Sequence, residues 1–256
     1  HFAPLIARAE TIKINCLNES DFLTELVQTL KKTKIKLLLI SFPHNPTTLT
    51  VDQVFYDNLI ELAEKYNFLI VNDFAYSDIY FGGNKPPSLL SSDKSLSHSI
   101  ELYSLTKGFS MAGWRVGFAV GNKDAISSVT KLKSYIDYGT FQPIQIASTV
   151  ALNELEEYPF ELSSVYKERR ELIVENLEDL NFSVQESTAT MFVWAKLPEK
   201  FRNDSLKFSL ELLEKSNVAI SPGVGFGKYG EGYIRIALVE NKQRIRQAMK
   251  NIKAAL

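Results

Sequence analysis

The chain has 256 residues, 45% hydrophobic and 23% charged, enough apolar material for one large domain or two modest ones. Twenty-nine basic and thirty acidic side chains leave a net charge of -1, which excludes the basic field that a nucleic-acid or anionic-membrane partner needs. A single cysteine, Cys16, excludes an internal disulfide, three scattered histidines make a poor metal site, and no apolar run approaches the ~20 residues of a bilayer span. No charged-then-apolar leader opens the chain at His1, so a cytoplasmic protein is expected, and the absence of an initiating Met suggests that the natural chain begins earlier.

In chain order, Ile35–Ile40 reads as a buried strand, and the spacing of Val51, Phe55, Leu59, Leu62, Ala63 and Tyr66 predicts an amphipathic helix. Phe68–Val71 is a second apolar strand. Ile100–Leu105 and Val116–Val120 are a third and a fourth, joined by a loop holding Gly108 and Gly113. Strand, helix and strand in this order predict parallel βαβ units, with ligands at the carboxyl ends of the strands. Helical patterns dominate residues 125–180, where Leu162, Val165, Tyr166, Arg169, Leu172, Ile173, Leu177 and Leu180 keep one stripe. Met191–Ala195 and Tyr233–Leu238 are predicted strands, and Ile245, Ala248, Met249, Ile252 and Ala255 form a closing amphipathic helix. The expected fold class is α/β: a layered first domain, then a smaller α+β domain beginning between residues 145 and 182.

Gly225-Phe-Gly-Lys-Tyr-Gly230 fits the glycine spacing of a dinucleotide site. That site needs a helix opening at the glycines, with its N-terminus aimed at a pyrophosphate. Here Tyr233–Leu238 alternates like a strand, and Pro222 stands between the preceding apolar residues and the glycines. The segment is predicted to be a glycine-rich loop between two strands, not a nicotinamide site.

Four segments put polar groups at the ends of apolar strands: Pro43-His-Asn-Pro-Thr47, Asn72-Asp-Phe-Ala-Tyr76, Ser104-Leu-Thr-Lys107 and Met111-Ala-Gly-Trp-Arg115. Taken singly, each has an ordinary reading as a turn, a helix cap or a solvated loop. Together, their order and spacing resemble the aminotransferases of class I and II, the fold-type I pyridoxal-phosphate (PLP) enzymes, along essentially the whole chain. Ser104–Phe118 is the most specific match, similar to the family's cofactor-lysine signature. Thr48 stands where the family usually has Gly.

The resemblance implies a fold-type I PLP-dependent transferase. Residues 1–160 would form a large PLP-binding domain with a mostly parallel sheet, incomplete at its N-terminus, and residues 161–256 a smaller C-terminal domain. It implies PLP as cofactor and no metal. Lys107 takes the position of the catalytic amine that holds the cofactor's aldehyde. Asp73 matches the carboxylate that keeps the ring nitrogen protonated, and Tyr76 and Asn45 match the donors to the ring oxygen. Ser104 and Arg115 match the phosphate donors. Arg235, with Asn45, matches the grip on the substrate α-carboxylate, and strand alternation points it away from Ile234, Ile236 and Leu238.

Within the family, Met191–Pro198, Ser221–Gly227, Arg235–Asn241 and Lys133–Pro143 resemble bacterial alanine (glutamate–pyruvate) aminotransferases. That implies amino transfer from L-alanine to 2-oxoglutarate by a ping-pong route. Aspartate or LL-diaminopimelate aminotransferase, another PLP reaction on the same scaffold, and a non-catalytic aminotransferase-like ligand-binding domain are the alternatives. The resemblance further implies a homodimer acting on small amino and 2-oxo acids, with no nucleic-acid or membrane partner. It also implies a preceding segment that completes the phosphate site, without which residues 1–256 are expected to be inactive.

Overall fold

The computed structural model describes residues 2–201 and 204–256 and divides into two compact units, one up to Ile35 and one from Lys36 onward. The first unit holds α1 (Phe2–Ile6) and α2 (Glu19–Lys32). α2 begins where Asn18 Oδ1 accepts the Asp21 N–H at 2.8 Å. It carries Glu19 and Asp21 in its first turn and Lys31 and Lys32 in its last, matching the helix dipole. Phe22, Leu26 and Leu30 recur every four residues and are buried. This helix is absent from the patterning set out above.

The second unit opens with a four-stranded sheet in the order β1 (Leu37–Ile40), β2 (Leu69–Asp73), β3 (Ser99–Ser104) and β4 (Gly117–Gly121). The crossover from β1 to β2 is α3 (Gln53–Tyr66), capped by Asp52 and ended by Asn67 in the left-handed region at φ 54. Phe55 of α3 meets Phe42 edge-on at 5.2 Å between ring centroids, which places the helix against the chain leaving β1. β1, β2 and β3 are parallel, as predicted, but β4 runs antiparallel to β3. The 105–116 link explains the reversal: it holds α4 (Leu105–Gly108) and a 3-10 turn, too little to carry the chain back across the sheet. Near-continuous apolar strands predict burial on both faces, yet at β1 only one face is buried. Leu38 and Ile40 are buried, whereas Leu37 and Leu39 are 52% and 60% exposed.

Three helices follow, α5 (Lys123–Ile136), α6 (Gln142–Glu154) and α7 (Tyr158–Asp179). Ser163 near the start of α7 donates to Asp78 O at 3.0 Å, while Ile173 and Leu177 near its end enter the core of the second sheet. Arg169, which interrupts the apolar stripe, donates to Leu238 O at 2.8 Å.

The second sheet is antiparallel, in the order β5 (Ser183–Val184), β6 (Phe192–Lys196), β8 (Tyr233–Ala237), β7 (Ser221–Pro222). α8 (Ser205–Ser216) and α9 (Lys242–Ala255) pack their buried residues, Phe208 and Leu212, Ile245 and Met249, against Val193, Ala195 and Ile234. Alternation sends Phe192, Trp194 and Arg235 to the other face, where Trp194 and Arg235 are cross-strand partners. The glycine-rich segment forms two 3-10 turns, Gly223–Phe226 and Lys228–Gly230, and no helix opens there. Among the described residues no helix is long and apolar enough to cross a membrane.

Candidate active site

The carboxyl ends of the three parallel strands are tied together from below. Asn72 in β2 is fully buried, and its Oδ1 accepts the Phe42 N–H at 3.2 Å. Its Nδ2 donates to Tyr56 Oη at 3.1 Å and to Glu101 Oε1 of β3 at 3.2 Å. The Glu101 carboxylate, itself buried, also accepts from Ser88 Oγ at 2.6 Å and Leu89 N at 2.7 Å. A buried carboxylate with this many donors is satisfied, and the network rigidifies the strand ends above it.

Asp73, the last residue of β2, stands on this floor and presents an accessible carboxylate. Surrounding protein holds that carboxyl above its usual 3.8, while the Ala75 N–H and the Lys107 ammonium oppose the rise. Ser41 Oγ donates to Asp73 O at 3.0 Å, fixing β2's end to β1's. Lys107 lies on α4, with Nζ 5.9 Å from the centre of the Tyr76 ring. Tyr76 is buried, and burial pushes its hydroxyl up to about 12. Arg235 opposes that rise, Asp73 adds to it, and a hydrogen bond from Asn45 opposes it again.

Asn45 joins the two sheets. Its side chain lies beside the Tyr76 hydroxyl, whose rise it opposes, and its Oδ1 accepts from Arg235 Nη1 at 2.7 Å. Arg235 is on β8, which lies between β6 and β7, so it is not an edge-strand residue. Its Cζ is 4.2 Å from the centre of the Phe192 ring and 4.5 Å from that of Phe226. Among the described residues its buried Nε has no hydrogen-bond partner.

Asn45, Asp73, Tyr76, Lys107 and Arg235 are thus brought together. Ser104 adjoins them as the cap of α4: its Oγ accepts from Thr106 N at 3.2 Å and donates to Val116 O at 3.3 Å. Arg115 is exposed and donates to Ala112 O at 3.0 Å, so its guanidinium is turned to its own loop rather than to the other six. Thr48 is 1% exposed and held at φ 63, with its Oγ1 unpartnered among the described residues. That left-handed backbone is the physical reason a glycine suits the position. Asn72, Glu101, Phe192 and Phe226 carry no role in the sequence reading. Alternation along Met191–Ala195 could have set Phe192 and Trp194 on one face, but their pairing with Arg235 needs the strand register.

These groups fit PLP chemically: an amine for an aldehyde, a carboxylate for a ring nitrogen, a phenol and an amide for a ring oxygen. A hydroxyl at a helix cap suits a phosphate, and a guanidinium with an unpartnered donor suits a carboxylate. A recess of about 650 Å3 bordered by Val120, Ile126 and Lys131 includes none of the seven residues, so chemistry rather than cavity size marks this site.

Residues 5–252 match the family described as Aminotransferase class I and II. The chain is 39% identical over 256 residues to the glutamate-pyruvate aminotransferase AlaC of Escherichia coli K12, covering 99% of this chain and 62% of that protein. It is 42% identical over 236 residues to the LL-diaminopimelate aminotransferase of Natranaerobius thermophilus, covering 91% of this chain and 61% of that protein. Its fold superposes on a probable N-succinyldiaminopimelate aminotransferase of Thermus thermophilus with a TM-score of 0.91 at 32% identity, covering 100% of this chain and 68% of that one. The chain spans about three-fifths of the length of these two curated relatives.

Proposed function

The chain belongs to the aminotransferases of class I and II, and from that premise we propose that the complete protein transfers an amino group from L-alanine to 2-oxoglutarate by a ping-pong route with PLP. The observation that carries the proposal is the Asn45 bridge, which links the Lys107–Asp73–Tyr76 group to Arg235 across 190 residues of sequence. A transaminase needs its cofactor and its substrate carboxylate held by one rigid frame.

Bound PLP supplies the electron sink for charge that develops at the substrate's Cα. Lys107 would hold the cofactor's aldehyde by its amine and, as a free amine, would move the proton from the substrate's Cα to the cofactor. Asp73 keeps the ring nitrogen protonated, and Tyr76 and Asn45 offer donors to the ring oxygen. Ser104 would hold the phosphate, and Arg115 would join it by turning from Ala112 O. Arg235 grips the α-carboxylate of the amino donor and of the 2-oxo acceptor in turn, which is why one guanidinium serves both half-reactions. Residues 1–160 and 161–256 are the large and small domains in this reading, and the working protein is a cytoplasmic homodimer.

L-Alanine as donor is supported by the glutamate-pyruvate aminotransferase among the relatives, and a second reading, LL-diaminopimelate as donor, by the relatives of that name. The test uses the complete protein loaded with PLP, following single half-reactions with alanine, aspartate and LL-diaminopimelate in its visible spectrum. Alanine should react fastest, and faster reaction of another donor would replace it. Lys107→Ala should lose the borohydride-fixable attachment of PLP while remaining folded, and retained attachment would move the role to another lysine.

A further inference from the structure

Phe226 reaches Arg235 from the glycine-rich segment 223–230, whose geometry is tightly specified. A Cβ on Gly223 would stand 2.0 Å from Gly230 O and 2.6 Å from Tyr233 O, and one on Gly230 would stand 2.1 Å from Gly223 O. The two glycine backbones therefore close on each other and pinch the loop shut at its base. Gly227 at φ 125 lets the chain reverse between the two 3-10 turns. Ser205 holds the same base to α8: its Oγ accepts from Val224 N at 3.2 Å, and its own N–H goes to Glu231 Oε1 at 2.7 Å.

At the far end of this braced loop is Phe226. Its ring centre is 4.5 Å from Arg235 Cζ, and its edge meets Trp194 at 6.0 Å and 80°. Arg235 is flanked by this ring and by Phe192 at 4.2 Å. Ring faces attract a guanidinium without consuming its in-plane N–H donors. One of those donors goes to Asn45, and Nε is buried without a partner among the described residues.

We propose that the loop 223–230 is a substrate-positioning element, acting through Phe226, which holds the plane of the Arg235 guanidinium so that its remaining donors meet an α-carboxylate. Phe226 is a positioning residue, since it acts through Arg235. The inference rests on the reading of Arg235 as the carboxylate grip. It gives the glycine spacing a purpose: the glycines allow a short loop to bring an aromatic ring onto a cation on the neighbouring strand.

The test compares Phe226→Leu, which keeps apolar bulk but removes the ring, with Phe226→Tyr, which keeps the ring, in the complete PLP-loaded protein. Measured are kcat, KM for amino donor and 2-oxo acceptor, PLP content, and the calorimetric Kd of succinate, an unreactive dicarboxylate. Phe226→Leu should raise both KM values and the succinate Kd about tenfold, with kcat and PLP content within about twofold, while Phe226→Tyr stays within about twofold throughout. An unchanged succinate Kd in Phe226→Leu, or an equal loss in Phe226→Tyr, overturns the proposal. Arg235→Gln separates the two layers of the argument. If it too leaves succinate binding intact, the reading of Arg235 itself has failed; if it weakens binding while Phe226→Leu does not, the loop's role alone has failed.

Discussion

Asn45→Ala is expected to weaken both halves of the site at once. The Asn45 Oδ1 accepts from Arg235 at 2.7 Å, and the same side chain lies beside the Tyr76 hydroxyl. A hydrogen bond to a charged group contributes about 1.5–3 kcal/mol when dry. Arg235 is only partly buried, so solvent replaces some of the loss and about 1–2 kcal/mol is expected, a factor of roughly 5–30. Because one guanidinium takes both substrates' α-carboxylates, KM should rise for donor and acceptor alike. On the other side, the Asn45 bond opposes the upward displacement of the Tyr76 hydroxyl from 10 to about 12. Its removal should move that hydroxyl further up, and the cofactor's ring oxygen, short of one donor, should bind its proton more tightly. Steady-state kinetics with both substrates and a spectrophotometric pH titration of the holoenzyme measure the two effects. A double-mutant cycle with Arg235→Lys should be non-additive, since each change disrupts the same contact. A KM change confined to one substrate, together with an unmoved titration midpoint, would refute the bridging role.

Asp73→Asn should lower turnover far more than PLP occupancy, because the amide cannot hold the ring proton. In the cofactor-free protein the sign reverses. The folded carboxyl lies above its unfolded 3.8, so its contribution to stability is complete below 3.8 and lost as pH rises through the folded value. The amide should therefore be the more stable form at pH 7 and not at pH 3.5, and equal denaturant midpoints at pH 7 would contradict the desolvation. Burial pushes the His44 imidazole from 6.5 down to about 4, and its Nδ1 lies 2.7 Å from Thr47 Oγ1. Its contribution is present above pH 6.5 and fades as pH falls toward 4, by at most roughly 3 kcal/mol, and His44→Gln should flatten that acid limb in a stability-against-pH series. Thr48→Gly should raise the unfolding free energy by about 1 kcal/mol, read as a higher denaturant midpoint. It relieves a β-branched residue at φ 63 and removes an unpartnered buried hydroxyl, offset in part by a more flexible unfolded chain. A fall in the midpoint would show that the threonine packs favourably there.

The strands β1, β2 and β3 and the helices α3, α7 and α9 are legible in the sequence because each is a matter of local spacing: a short apolar run, or a stripe repeating every three or four residues. Asn45, Asp73, Tyr76, Ser104, Lys107, Arg115 and Arg235 can be picked out as candidates because each sits a few residues from a strand end or within a strand, inside a motif whose order along the chain is readable. Local spacing cannot report which segments become neighbours. The antiparallel β4, the exposure of Leu37 and Leu39, and the left-handed Thr48 depend on how the chain is routed and covered. Arg115 stands at φ 54 and donates to Ala112 O, a left-handed conformation that the identity of the residue does not specify. Phe192 and Trp194 reach Arg235 only through the β6–β8 register, and Phe226 only through the interlocked backbones of Gly223 and Gly230. Residue types and their spacing along the chain therefore determine which chemical groups the protein carries and at which strand ends. Tertiary structure decides which of them meet, because hydrogen bonds and ring contacts act over a few ångströms while their partners, like Asn45 and Arg235, lie up to 190 residues apart.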